Sequence, residues 1–113
     1  MITIYHNSRC SKSRGCLAIL EEQKKDITVV NYLQNPPSEK ELKEILKLLD
    51  ISPIDLVRKN EAIWKENFKG KDYTDSELIT ILCNNPKLIE RPIVVNGDKA
   101  IIGRPPEKVI DII

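Results

Sequence analysis

Hydrophobic and polar positions near the amino terminus predict a strand, a helix and a second strand. An apolar strand runs from Met1 to Tyr5. Small and apolar residues then recur three, four and seven positions apart, which predicts a helix from about Ser11 to Gln23. The β-branched segment from Ile27 to Leu33 predicts the second strand. This order is typical of a parallel βαβ unit with a right-handed crossover.

The middle of the chain shows helical patterns. Two capping boxes, each a Ser or Thr followed three residues later by Glu, mark helix starts. These pairs are Ser38 with Glu41 and Thr74 with Glu77. The first opens a helix from Glu39 to Leu49, and a shorter helix begins at Pro53 and ends near Arg58. We expect these helices to form an insertion over about residues 38–88.

The carboxyl-terminal pattern predicts a β-hairpin and a last helix. Asn96-Gly97 separates a strand at Ile93 to Val95 from another at Lys99 to Ile102. A type I′ turn suits Asn-Gly because both of its central residues need positive φ. Pro106 lies at the start of the last helix. Its inward residues are predicted to be Val109, Ile110 and Ile113.

This order of elements predicts an α/β fold. Strand, helix and strand are followed by a helical insertion and then by strand, strand and helix, which is the order of a thioredoxin-like sheet. A chain of 113 residues is long enough to bury one core. We therefore expect residues 1–113 to form a single thioredoxin-like domain with the insertion inside it.

Composition excludes several classes of protein. The net charge of +1 gives no general field for nucleic acid or an anionic membrane. No apolar run reaches the roughly 18 residues that span a bilayer. The three cysteines show no C-x-x-C spacing, so we expect no metal site and no dithiol centre. Reduced thiols and the lack of a secretory signal predict a cytoplasmic protein.

Cys10 lies between the first predicted strand and the first predicted helix. Unpaired N–H groups and the helix dipole favour negative charge at the amino end of a helix. His6 and Arg9 lie on the same loop, and a cation or hydrogen-bond donor nearby would lower the pKa of the thiol further. We expect Cys10 to be a reactive thiolate with an oxyanion site beside it.

Other side chains around this loop have two interpretations. His6 either supports the thiolate or only pins the loop through a hydrogen bond, and we do not assign it as a general base. Ser11 and Ser13 either hold an anion or cap the helix. Cys16 and Cys83 fall on apolar helix faces, so we expect both to be core residues.

Three arginines lie at junctions between predicted elements. Arg91 precedes Pro92 at a strand entry, Arg104 follows the last strand, and Arg58 ends a short helix. Planar guanidinium groups bind tetrahedral oxyanions through bidentate hydrogen bonds. In thioredoxin-like domains the proline before this strand is typically cis and packs opposite the active cysteine, which makes Pro92 the candidate.

Several motifs resemble the glutaredoxin-coupled arsenate reductase (ArsC) family. The motifs are Tyr5-His6-Asn7, Cys10-Ser11-Lys12-Ser13-Arg14, Tyr32-Leu33, Asn35-Pro36-Pro37-Ser38, Leu56-Val57-Arg58-Lys59, Leu88-Ile89-Glu90-Arg91-Pro92-Ile93-Val94-Val95 and Gly103-Arg104-Pro105. The resemblance covers nearly the whole chain. Ser8 stands where many members carry proline.

The resemblance implies an arsenate reductase. Cys10 would attack arsenate to form a thiol-arsenate adduct, and three arginines would hold the oxyanion. These arginines are Arg58, Arg91 and Arg104, with His6 and Ser13 in support. Glutathione as co-substrate and glutaredoxin as partner would supply the electrons that release arsenite. No metal or bound cofactor is implied.

Two other functions stay open. A thiol-redox regulator that binds RNA polymerase, similar to Spx, has the same fold, but its switch typically uses C-x-x-C and here Ser13 occupies the second position. A monothiol glutaredoxin-like protein needs only Cys10 and leaves the arginines without a role. Dependence of Cys10 reactivity on bound anions would separate these functions from the reductase.

Overall fold

The predicted βαβ segment and hairpin join in a mixed sheet, which confirms the α/β fold class. Its strands are β1 (Ile2–His6), β2 (Ile27–Asn31), β3 (Ile93–Asn96) and β4 (Lys99–Ile102), in the order β2-β1-β3-β4. β1 pairs parallel with β2 and antiparallel with β3, which pairs antiparallel with β4. This computed structural model describes residues 2–23 and 26–113, so the predicted strand start at Met1 lies outside the described residues.

The chain divides into two units. The first contains residues 1–35 and 91–113, and the second contains residues 36–90. The second unit covers the region assigned above to the insertion, about residues 38–88. The assignment of the whole chain to one domain stays a prediction.

The core of the first unit lies on one face of the sheet. Alternate residues of β1, Ile2 and Ile4, point to this face because successive strand side chains alternate. Helix α1 (Ser11–Glu22) covers it and ends one residue before the predicted Gln23. The buried cluster is Ile2, Ile4, Cys16, Leu20, Val94 and Val109.

The last helix differs from the prediction. Residues Pro106–Ile112 form a 3-10 helix. With three residues per turn, side chains at i and i+3 share a face, so Val109 and Ile112 pack on the core. Ile110 is 55% exposed, and its predicted inward position was wrong because that prediction assumed α-helical spacing. Ile113 packs on the core as predicted.

Two chain reversals also differ in detail. In the hairpin, Asn96 pairs with Lys99, so the central residues are Gly97 and Asp98. Gly97 has φ of 63° and Asp98 is not in the positive-φ region, so the predicted type I′ turn was wrong. β2 ends at Asn31 rather than Leu33, because following backbone N–H groups turn back to the Asn31 carbonyl.

The second unit contains α2 (Glu39–Leu49), α3 (Ala62–Asn67) and α4 (Asp75–Asn84). Both predicted capping boxes are present at the starts of α2 and α4. Short 3-10 helices cover Pro53–Leu56 and Pro86–Leu88. Within the described residues, no helix combines the length and the apolar character needed to cross a bilayer.

Helix α3 was not predicted from the sequence. Its six residues are too few for a repeating apolar pattern, and Trp64 is its buried residue. The Trp64 ring stacks on Phe68 with centroids 5.8 Å apart, and Tyr73 packs beside both rings. Tertiary aromatic packing therefore holds this helix where local sequence signals are weak.

Candidate active site

A tight loop places Cys10 at the amino end of α1. The Cys10 N–H donates to the Asn7 carbonyl at 3.0 Å, and the Arg9 N–H donates to the Asn7 side-chain oxygen at 3.0 Å. Cys10 is the N-cap residue in an extended conformation, and its carbonyl accepts the Arg14 N–H at 3.0 Å. The predicted placement of the thiol at a helix start is therefore confirmed.

The surroundings of Cys10 favour the thiolate. Burial alone raises the pKa of this thiol, whose residue is only 8% exposed. The Ser13 N–H, the Arg91 charge, the Lys12 N–H and the Arg104 charge act in the opposite direction and outweigh burial. The pKa of Cys10 is consequently lowered from its ordinary value. Negative charge at this position is stabilised by N–H groups of the first helical turn and by two guanidinium groups.

The cations that act on Cys10 lie at strand ends rather than on its own loop. Arg91 and Arg104, which the sequence had placed at element junctions, lower the thiol pKa, and the loop residues His6 and Arg9 do not. His6 is buried, and burial followed by the Arg14 charge lowers its own pKa. The neutral imidazole is therefore favoured near neutral pH, so His6 can support the loop through hydrogen bonding rather than through a positive charge.

Ser13 is fully buried and its hydroxyl is held by the protein. Its Oγ lies 2.6 Å from His6 Nδ1 and accepts the Asn7 N–H at 3.0 Å. The Ser13 backbone N–H, rather than its hydroxyl, interacts with the Cys10 sulfur. Of the two interpretations for His6, the geometry supports a residue that pins the loop. Both residues fix the helix end beneath the thiolate.

Arg91 and Arg104 meet in the first unit. An Nη1 of Arg104 donates to the Arg91 carbonyl at 3.3 Å. The Arg91–Pro92 peptide bond is cis, as expected for Pro92, and the Arg104–Pro105 bond is also cis. The charges of both guanidinium groups act on Cys10, and the role of these arginines in binding an oxyanion stays a prediction.

Arg58 lies in the second unit, and its role at Cys10 stays a prediction. Its backbone N–H donates to the Leu88 carbonyl at 2.7 Å. Its guanidinium pairs with Glu61 at 2.7 Å and donates to the Lys87 carbonyl at 3.4 Å. A junction between a 3-10 helix and a loop therefore holds Arg58 in place.

The other thiols have different surroundings. Cys16 has no exposed surface, and burial raises its pKa to about 11. Its predicted core position is confirmed. Cys83 is half-buried, and burial with the charges of Glu39 and Glu41 raises its pKa. All of these cysteines are free, and the described residues contain no cluster of three or more His, Cys, Asp or Glu side chains suited to a metal ion.

Three residues shape the site without having been predicted to do so. Asn7 closes the loop through its side chain, Arg14 donates to the Ser8 carbonyl at 2.9 Å, and Gly103 packs against the cis-proline segment. The Asn7 side chain accepts a hydrogen bond from the N–H two residues later, which is a known turn pattern for Asn. The role of Asn7 in closing the loop could therefore have been predicted from the sequence. The Arg14 contact is local but follows no standard sequence signal, and the contacts of Gly103 depend on tertiary structure.

The sheet, the cis-proline and the Cys10 thiol at the start of α1 define a thiol protein of the thioredoxin-like class. The ArsC family model matches residues 5–112, and the chain belongs to the ArsC family.

Similar proteins cover nearly the full chain. The uncharacterised Escherichia coli K12 protein YfgD is 45% identical over 99% of this chain and 96% of its own. A Haemophilus influenzae arsenate reductase is 43% identical over 99% of this chain and 98% of its own. The solved structure of a Vibrio cholerae arsenate reductase superposes with a TM-score of 0.93, at 42% identity over 99% of this chain and 97% of that one.

Proposed function

We propose that this protein is an arsenate reductase with Cys10 as its nucleophile. The observation that carries the proposal is a thiol whose pKa is lowered by helix N–H groups and by the charges of Arg91 and Arg104. A site with these groups favours a small tetrahedral oxyanion, since donors and charge surround the attacking atom. Full-length similarity to arsenate reductases supports arsenate as the oxyanion.

In the first step, the Cys10 thiolate attacks arsenic. A sulfur–arsenic bond forms, one arsenic–hydroxyl bond breaks, and the hydroxyl takes a proton and leaves as water. Arg91 and Arg104 offset the charge on the remaining oxygens, and we assign Arg58 as the third guanidinium. The lowered thiol pKa supplies more thiolate near neutral pH.

In the second stage, As(V) is reduced to As(III). This reduction takes two electrons, which two thiols supply when they join in a disulfide. We assign these thiols to glutathione and glutaredoxin, so that hydrolysis of the adduct releases arsenite and restores Cys10. No bound cofactor or metal enters this scheme. We place the reaction in the cytoplasm, where thiols are kept reduced.

The test is arsenate-dependent NADPH oxidation with glutathione, glutaredoxin and glutathione reductase. We expect Cys10→Ser to lose turnover and Cys83→Ser, the matched thiol variant, to keep it. Turnover retained by Cys10→Ser would overturn the mechanism. No turnover in the native protein, alongside an active reductase, would instead favour a monothiol glutaredoxin-like activity, measured as reduction of a glutathione mixed disulfide.

The arginine assignment has its own test. The substitutions Arg58→Ala, Arg91→Ala and Arg104→Ala should each lower kcat/KM for arsenate by roughly 100-fold or more, because an oxyanion donor is lost. Arg9→Ala is the control, since Arg9 is exposed on the same loop. The change in the free energy of unfolding, measured in urea, should be smaller than the change in activation free energy calculated from kcat/KM. Native kinetics in all three variants would exclude an arginine clamp.

A further inference from the structure

The backbone between β4 and Arg104 is tightly constrained. The Gly103 N–H donates to the Pro92 carbonyl at 2.9 Å, and the Arg104 N–H donates to the Ile102 carbonyl at 2.9 Å. The second bond spans two residues, so it closes a turn centred on Gly103. The first bond ties the segment that carries Arg104 to the segment that carries Arg91, and the second fixes the turn before Arg104.

A side chain at Gly103 would not fit this arrangement. A Cβ there would lie 3.0 Å from Cys16 Sγ and 3.0 Å from Pro92 Cγ, tighter than nine in ten real Cβ contacts. Neither neighbour moves easily, because Cys16 is fully buried and the Pro92 ring is rigid. Any added methyl group must therefore shift the chain at position 103.

Such a shift would reach the guanidinium groups. The hydrogen bond from Arg104 Nη1 to the Arg91 carbonyl is 3.3 Å long, near the upper limit for this kind of bond. We expect a shift of Gly103 away from Pro92 to strain this bond and the bond from the Gly103 N–H to the Pro92 carbonyl. The Arg104 charge would then move relative to Cys10.

We propose that Gly103 is a positioning residue of the Cys10 anion site. Its missing side chain lets the Arg104 turn pack against the Pro92 segment, so that both arginines act on one sulfur. This inference deepens the proposed function and rests on it for the identity of the substrate. The anion preference of Cys10 can nevertheless be measured without arsenate.

The experiment compares Cys10 alkylation by iodoacetate, which is anionic, and iodoacetamide, which is neutral. We expect Gly103→Ala to lower the ratio of the iodoacetate rate to the iodoacetamide rate roughly fivefold, because the positive charge around Cys10 weakens. Gly15→Ala is the matched control, since a Cβ there would lie 3.2 Å from Pro106 and would contact neither Cys16 Sγ nor Pro92. Its ratio should equal that of the native protein. Peptide mass spectrometry assigns each adduct to Cys10.

A second variant guards against loss of the fold. Gly103→Ala combined with Cys16→Ala removes the sulfur that crowds the new methyl group, so its ratio should lie nearer the native value. A folded Gly103→Ala protein with the native ratio would overturn the proposal. So would failure of both variants to fold, because Gly103 would then be a requirement of the core rather than of the site.

The same preparations separate this inference from the proposed function. If the native protein shows no arsenate turnover but the alkylation ratio falls in Gly103→Ala, the positioning role stands and the reductase assignment fails. If arsenate turnover is present and the ratio does not change, the reductase assignment stands and the positioning role fails.

Discussion

The pKa values of two cysteines, one at the start of α1 and one within it, are shifted in opposite directions. Cys10 begins α1 and Cys16 lies six residues later in the core, and burial raises the pKa of both thiols. Only Cys10 has N–H groups of the first helical turn and two guanidinium charges beside it, and its pKa is lowered overall. Burial therefore does not distinguish a structural cysteine from a reactive one. The donors and charges around the sulfur do.

The largest expected effect is the difference in alkylation rate between these thiols. With a pKa of about 11 for Cys16 and a lowered pKa for Cys10, the thiolate fractions near pH 7 differ by more than roughly 100-fold. Burial of Cys16 inside the core adds to this difference. Limited iodoacetamide labelling of the native protein, followed by peptide mass spectrometry, should find the adduct on Cys10.

Unfolding in urea provides the control for this measurement. Both thiols should then react at similar rates, since the protein environment that separates them is gone. Equal labelling of Cys10 and Cys16 in the folded protein would contradict the contrast. If Cys10 were still labelled selectively in urea, the difference in reactivity would come from the local sequence and not from the fold.

Much of this contrast could be predicted from the sequence. The strand-to-helix junction located Cys10, and the apolar stripe placed Cys16 in the core, because both signals are local. The junction positions of Arg91 and Arg104 also indicated that their charges would lie near the thiol. Each is fixed by a neighbouring proline and by the end or start of a strand, which are features visible in the chain itself.

What could not be predicted depends on tertiary contacts. The sequence left two interpretations of His6 open, and only burial, the Arg14 charge and the contact with Ser13 favour the neutral residue that pins the loop. Ile110 looked inward-facing until the last helix proved to be a 3-10 helix. The crowding around Gly103 involves two segments that are distant in sequence. Spacing along the chain carries no information about such approaches.

A smaller effect is expected on stability. Cys16→Ser places a hydroxyl group among apolar side chains and should lower the free energy of unfolding by about 1–3 kcal/mol. Cys10→Ser is the matched variant, and it should change stability little because serine is a favoured N-cap residue. Urea denaturation compares the two. A larger loss of unfolding free energy in Cys10→Ser than in Cys16→Ser would mean that Cys10, and not Cys16, is the structural cysteine.

Alkaline pH tests the same buried thiol. The pKa of Cys16 is about 11 in the fold against an ordinary 9.0, so the folded state favours the protonated thiol. Its contribution to stability is complete below pH 9 and is lost as the pH rises toward 11. Cys16→Ala should remove this part of the alkaline decline. If the loss of stability at alkaline pH were the same in this variant, groups other than Cys16 would cause it.

The smallest expected effect concerns the support beneath Cys10. The pKa of His6 is lowered below its ordinary 6.5 by burial and by the Arg14 charge, so the unfolded chain binds a proton more readily. The stability that neutral His6 provides is complete above pH 6.5 and declines as the pH falls toward the lowered pKa. The urea concentration that unfolds half of the native protein should therefore be lower at about pH 5.5 than at about pH 7.5.

The variant His6→Asn isolates this contribution. Its side-chain amide places a polar atom where Nδ1 meets Ser13 Oγ but does not titrate. The variant should lose part of the midpoint shift seen in the native protein, and its Cys10 alkylation rate should become less dependent on pH across this range. A native-sized shift in the variant would mean that other groups cause it. Protonation of His6 would then leave the helix end beneath the thiolate undisturbed, and the neutral pair with Ser13 would not be what holds Cys10 in place.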